Sequence, residues 1–116
     1  MKEKIRNAEL VDKVVFLIEK YIESHDCLGK VEAVILADYP NYMEIFKTQV
    51  EMLPDEYIMR VRLNNAEKLL EHTEMDFKEI SKAIGLNCYI EFTEVFKRFK
   101  GINPMSYRNQ LLKKHK

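Results

Sequence analysis

Apolar residues recur at helical spacing along almost the whole chain. Leu10, Val11, Val14, Leu17, Ile18, Tyr21 and Ile22 step by three and four, which predicts one amphipathic helix ending before Gly29. A shorter segment follows around Val31 to Ala37, punctuated by Pro40. Tyr42, Ile45, Phe46 and Val50 form a third stripe. Pro54 then opens a longer helix, since its missing N–H has no helical partner in a first turn anyway. Tyr57, Ile58, Val61, Leu63, Ala66, Leu69 and Leu70 carry that helix to about His72.

The remainder is more sharply punctuated. Asp76 with Glu79 three residues on has capping-box spacing, so a helix starts there with Phe77, Ile80, Ala83 and Ile84 on its buried side. Gly85 suits the left-handed stop of that helix. Asn87 is a suitable cap for the next, whose core stripe is Phe92, Val95, Phe96 and Phe99 and whose end is Gly101. Asn103-Pro104 caps and opens a last helix through Met105, Tyr107 and Leu111. No strand alternation survives, so the chain reads as all-α with about seven helices. The pair around Gly85 has the pattern of a helix-turn-helix, a unit whose second helix enters the major groove of DNA with side chains near its N-terminus.

Composition agrees with this reading. A chain of 116 residues with three Gly and three Pro has too few turn-formers for a sandwich or barrel. The longest apolar runs are a few residues, so nothing spans a bilayer, and Met1-Lys2-Glu3-Lys4 is not the start of a secretory signal. Cys27 and Cys88 do not make a disulfide framework, and a reducing cytoplasm is the expected setting.

Charge changes the picture more. The net charge is zero, yet residues 1–59 hold 7 Lys+Arg against 12 Asp+Glu, while residues 60–116 hold 12 against 7. No acid follows Glu94, and the tail carries Lys97, Arg98, Lys100, Arg108, Lys113, Lys114 and Lys116. Such asymmetry hints at an anionic partner, although a solvated basic tail gives the same count.

Around that pair, Arg62-Leu63, Ala66, Leu69-Leu70, Thr73, Glu79-Ile80, Gly85, Phe92, Phe96-Lys97, Gly101, Pro104, Tyr107 and Arg108 fall at the spacings of a known family. Over roughly residues 7–110 the chain resembles the DNA-binding part of the AraC/XylS family of bacterial transcription regulators. The resemblance implies two helix-turn-helix units joined by a central linker helix. The first unit, together with the N-terminal helix, would occupy residues 1–52, the linker 53–72, and the second unit with its basic tail 73–116. It further implies that double-stranded DNA is the partner, with both recognition helices in successive major-groove segments. The Pro54–His72 helix would be about 28 Å long at ~1.5 Å per residue, against ~34 Å for one DNA turn. A monomer would then suffice for two adjacent groove contacts. By analogy with the family, bound protein would recruit or reposition RNA polymerase. Most members carry a separate sensing domain, for which 116 residues leave no room. The chain is thus read as a stand-alone regulator or a piece of a longer one.

The departures from the family concern the reading faces. With Phe92, Val95, Phe96 and Phe99 inward, the outward stripe of the second recognition helix is Tyr89, Ile90, Thr93, Glu94 and Lys97. The position where the family often has Arg is Glu94. A carboxylate accepts from cytosine N4 but cannot make the bidentate contact to guanine, so this face is poor in donors, while Ile90 suits a thymine methyl. In the first unit the recognition helix is expected over about Asn41 to Val50, with Tyr42, Ile45 and Phe46 inward and Asn41, Met43, Glu44, Lys47 and Thr48 outward. Glu44 again falls near a usual Arg, Glu51 replaces a Gly, and counting back from Phe46 puts Asp38 at a capping position. This unit is expected to keep the fold with few base contacts. Phosphate candidates are Lys97, Arg98, Lys100, Arg108 and Lys47. Arg62 and Arg108 also suit structural roles, Arg62 by pairing with an acid such as Glu79.

Little else in the chain has the makings of a site. His25, His72 and His115 have no ligand spacing with each other or with either cysteine, so no metal is expected. There is no Gly-rich phosphate loop or paired catalytic carboxylates, so neither an enzyme nor a cofactor is expected. Two functions stay open: a sequence-specific DNA-binding transcription regulator, or a helix-turn-helix scaffold turned protein-interaction module. Glu44 and Glu94 on both reading faces motivate the second.

Overall fold

Each predicted apolar stripe is a helix in the computed structural model, which describes residues 2–114 and the side chains as far as Lys113. His115, Lys116 and the Lys114 side chain lie outside the described residues. The order is α1 (Lys2–Tyr21), α2 (Cys27–Ile35), α3 (Tyr42–Val50), α4 (Pro54–His72), α5 (Phe77–Ala83), α6 (Tyr89–Lys100) and α7 (Pro104–Lys114), with no strand among the described residues. The chain divides into two compact units, Met1–Met59 and Arg60–Lys116, the division falling inside α4.

Several ends follow from named residues. Asp76 caps α5, its carboxylate accepting the Glu79 backbone N–H at 2.8 Å. Asn103 caps α7 by accepting from the Ser106 N–H at 2.8 Å. Gly85 (φ 93°) and Gly101 (φ 85°) take the left-handed conformation that ends α5 and α6. Three helices differ from expectation at an end. α2 runs over Cys27–Ile35, beginning ahead of the expected Val31 and ending before Ala37. Cys88, not Asn87, is the N-cap of α6, and it makes no side-chain capping bond. Asn41 rather than Asp38 is the N-cap of α3, because Tyr39-Pro40 is held in the turn that precedes that helix.

In the first unit, α1 packs on both α2 and α3. Leu10, Val14, Leu17, Ile18, Cys27, Val31, Ile35, Tyr42, Phe46 and Ile58 form its buried core. The Tyr42 hydroxyl donates to the Glu32 carboxylate. Burial first, and then that carboxylate, push the Tyr42 hydroxyl well above the ordinary tyrosine pKa, since both disfavour phenolate. The Phe46 ring meets Tyr57 edge-on at 5.7 Å.

The second unit is built around a run of edge-to-face rings: Phe77–Phe92 at 6.5 Å, Phe92–Phe96 at 5.7 Å and Phe96–Tyr107 at 5.5 Å. Leu63, Ala66, Leu70, Ile80, Ile84, Leu86 and Val95 complete the buried set. Phe99 is only half-buried, so the fourth residue of the predicted stripe lies at the core's edge. Two guanidiniums, Arg60 and Arg98, lie 5.6 Å from its ring centroid.

From α2 to the start of α7 the two units repeat at fifty residues. Asp26 and Asp76 precede α2 and α5; Phe46 and Phe96 are both fully buried. Glu51 and Gly101 are both left-handed C-caps, and Pro54 and Pro104 both open a helix. Tyr57 and Tyr107 face the same phenylalanine of their unit.

Candidate nucleic-acid interface

The α6 sequence puts its apolar residues on one side, and the structure buries Phe92, Val95 and Phe96 there. The opposite side carries Tyr89 and Ile90, 44% and 55% exposed, with exposed Glu94 and Lys97 and half-buried Thr93. The outward stripe read from the sequence is therefore the solvent-facing one. The Thr93 hydroxyl donates to the Tyr89 carbonyl at 2.8 Å, so its one proton is already in a bond within the helix. That face offers an aromatic ring, a β-branched apolar side chain, a carboxylate and, from Lys97, an ammonium.

In α3 the same logic holds. Tyr42 and Phe46 are buried, Ile45 is half-buried, and Asn41, Met43, Glu44, Lys47 and Thr48 are exposed. Thr48 repeats the Thr93 arrangement, its hydroxyl donating to the Glu44 carbonyl at 2.8 Å. The α3 helix has nine residues against twelve in α6, and what it lacks is the first turn. At the two residues fifty positions before Tyr89-Ile90, Tyr39-Pro40 lies in a turn outside the helix.

The basic residues fall into two sets. Lys47, Lys97 and Arg98 are exposed. Lys100 and Arg108 are engaged inside the second unit. The Lys100 ammonium is 3.0 Å from a Glu67 carboxylate oxygen and donates to Asn64 Oδ1 at 2.9 Å. The Arg108 guanidinium donates to the carbonyls of Met75 at 2.7 Å, Thr73 at 3.2 Å and Leu70 at 3.4 Å, and lies 5.7 Å from the Phe77 ring centroid. It satisfies the C-terminal end of α4 and the link to α5, whose carbonyls have no helical partner. Arg62 is 6% exposed. Lys78 and Lys82, which the sequence pattern did not single out, line one cleft with Tyr89. Their four-residue spacing on α5 was the available signal.

Among the described residues no helix is long and apolar enough to cross a membrane, and no group of three or more His, Cys, Asp or Glu side chains is placed to hold a metal ion. Neither cysteine is in a disulfide; Cys27 is buried, its thiol donating to the Ile18 carbonyl at 3.7 Å, and Cys88 is exposed.

A family model described as a helix-turn-helix domain matches residues 42–110, more than half of the chain. Among curated proteins, the chain is similar to the probable transcriptional regulator LumQ of Photobacterium leiognathi, at 25% identity over 79% of this chain and 39% of that protein. The chain spans less than half the length of the curated relatives it matches. Among solved structures, the C-terminal domain of the response regulator AraT from Geobacillus stearothermophilus superposes with a TM-score of 0.81 at 22% identity, covering 87% of this chain and 84% of that one. The DNA-binding domain of AdpA, solved in complex with a target DNA, does so with a TM-score of 0.76 at 19% identity, covering 87% and 90%. These two likenesses show the fold. With more than half its length matched to the family model, the chain belongs to the AraC-type helix-turn-helix family.

Proposed function

We propose that this chain is the DNA-binding part of a transcription regulator, acting in the cytoplasm by placing α6 in the major groove of promoter DNA. One observation carries the reading: Tyr89, Ile90, Glu94 and Lys97 share the exposed face of a helix whose other face is locked by Phe92, Val95 and Phe96. A rigid helix presenting its first turn outward is what major-groove reading needs. Support comes from relatives named as transcriptional regulators and from a structural neighbour bound to its target DNA.

Tyr89, Ile90, Thr93 and Glu94 face bases from α6, and Asn41, Met43 and Glu44 do so more weakly from α3. Lys97, Arg98 and Lys47 contact phosphates. Lys100 and Arg108 support binding indirectly, by holding the fold around α6 through the bonds described above. One copy is sufficient, since the chain holds two helix-turn-helix units, and the bound protein acts by recruiting or repositioning RNA polymerase.

Glu44 and Glu94 favour one competing reading, a scaffold that binds a basic protein partner instead of DNA. Duplex binding across a salt series separates the two. A DNA reader weakens steeply as salt rises, because each neutralised phosphate releases counterions. Glu94→Arg then raises non-specific affinity, and Lys97→Ala with Arg98→Ala harms binding more than Glu44→Ala. No duplex binding even at ~50 mM salt would hand the chain to the interaction-module reading.

A further inference from the structure

We propose that a cleft of about 420 Å³ between α5 and the start of α6, lined by Lys78, Ser81, Lys82, Asn87, Cys88 and Tyr89, is where the second unit takes a backbone phosphate of duplex DNA. The inference rests on the DNA-binding reading above and adds a site to it. Lys78 and Lys82 are four residues apart on α5, so both exposed side chains leave the same face. Buried Leu86 and Ser81 form the floor, and the Ser81 hydroxyl donates to the Leu86 carbonyl at 3.5 Å.

None of the lining residues is acidic. Glu79 and Glu91 belong to the same two helices but do not line the cleft. The Lys78 ammonium lies 5.8 Å from the Tyr89 ring centroid, which keeps an aromatic residue of the reading face beside the charge. Cys88 makes no side-chain cap, so the first N–H groups of α6 add their partial positive charge. Two ammoniums, an amide and no carboxylate suit a phosphodiester oxyanion. Tyr89, the first residue of α6, lines the cleft, so a phosphate held there lies next to the helix turn offered to bases. The equivalent positions of the first unit carry different chemistry. Fifty residues before Lys78 and Lys82 stand Leu28 and Glu32, and Glu32 accepts the Tyr42 hydroxyl.

Cys88 provides a reporter, since it is exposed and Cys27 is buried. Binding of a short duplex to the whole chain is measured over a salt series for wild type, Lys78→Ala/Lys82→Ala and Lys78→Gln/Lys82→Gln. Alkylation of Cys88 by iodoacetamide is timed with and without duplex at constant ionic strength. Both double variants should flatten the slope of log K against log salt by about 0.9 for each phosphate left without its cation, alike on any duplex sequence. Duplex should slow Cys88 alkylation several-fold in wild type. Unchanged slopes, or a Cys88 that alkylates as fast in the complex as in free protein, overturn the site while wild-type binding leaves the DNA reading standing. Equal protection by inorganic phosphate alone marks a free-anion pocket and also overturns it. A wild type that binds no duplex removes the reading and the site together.

Discussion

The two units are variations on one helix-turn-helix plan, and where they differ their outward chemistry differs too. Phe46 and Phe96 are both fully buried, and each meets a tyrosine ring edge-on within its unit. On the outside the units diverge. The first carries a net charge of −5 and the second +5, by the counts for residues 1–59 and 60–116. The α6 helix has a first turn bearing Tyr89 and Ile90, whereas the matching Tyr39 and Pro40 precede α3 in a turn. Leu86 is buried after α5, while its counterpart Leu36, after the longer α2, is 43% exposed. Packing constrains the interior, where volume must be filled. The surface is constrained only by what it has to touch. A shared core therefore does not imply a shared ligand face.

Removing the matched core rings tests the equivalence most strongly. Phe46→Ala and Phe96→Ala should each cost about 3–5 kcal/mol in urea denaturation, because each leaves a large cavity in a fully buried position. A loss below about 1 kcal/mol for Phe46→Ala would break the claim that both cores carry equal weight.

Arg108 stands where the first unit has buried Ile58, fifty residues before it. Arg108→Ala should cost about 2–3 kcal/mol, since one charged fork serves three backbone carbonyls. Arg108→Lys should recover little of that, because an ammonium lacks the planar fork. Recovery of full stability in the lysine variant would mean that charge, not geometry, matters at this position.

The two left-handed caps come next. Glu51 holds φ 66° with a Cβ, whereas Gly101 holds φ 85° without one. Glu51→Gly should stabilise the chain by about 0.5–1 kcal/mol by removing left-handed strain, less the entropy that glycine loses. Gly101→Ala should cost about 1 kcal/mol. That cost would come from backbone conformation alone, since an added Cβ meets nothing within 4 Å. Thermal melts of the pair resolve both signs.

The smallest effect concerns pH. Tyr42 faces Glu32 where the second unit has Phe92, and its hydroxyl pKa is raised in the folded state. Its contribution is therefore intact below about pH 10, the ordinary tyrosine value. It fades at higher pH, as the unfolded chain releases the proton first. Wild-type stability should fall more steeply above pH 10 than that of Tyr42→Phe. Parallel curves would deny that the hydroxyl is coupled to folding.

Much of the fold is legible in the sequence. Spacing predicts α4 over Pro54 to His72 and the helix forms over those residues, while Asp76, Gly85, Gly101 and Asn103 act at the ends assigned to them. These are local matters of spacing and capping, settled within a few residues of chain. The α3 start differs slightly from expectation and the α6 cap more plainly, because Asn87 is a better capping residue in isolation than Cys88. Phe99 fits the core period yet sits at its edge under two guanidiniums, where the packing of one helix end decides burial.

By itself, then, the sequence determined the helices, their register and which side of each faces inward, because transfer of apolar side chains from water depends on residues three and four apart. It also determined the charge division between the halves. Only the tertiary structure decided which cations remain on the surface. Arg108 meets the carbonyl of Leu70, and Lys100 the side chain of Asn64, from 38 and 36 residues away in sequence. Lys78 comes to lie beside Tyr89 across a turn. A long charged side chain reaches whatever acceptor the fold brings near, and that acceptor leaves no mark in the residues around it.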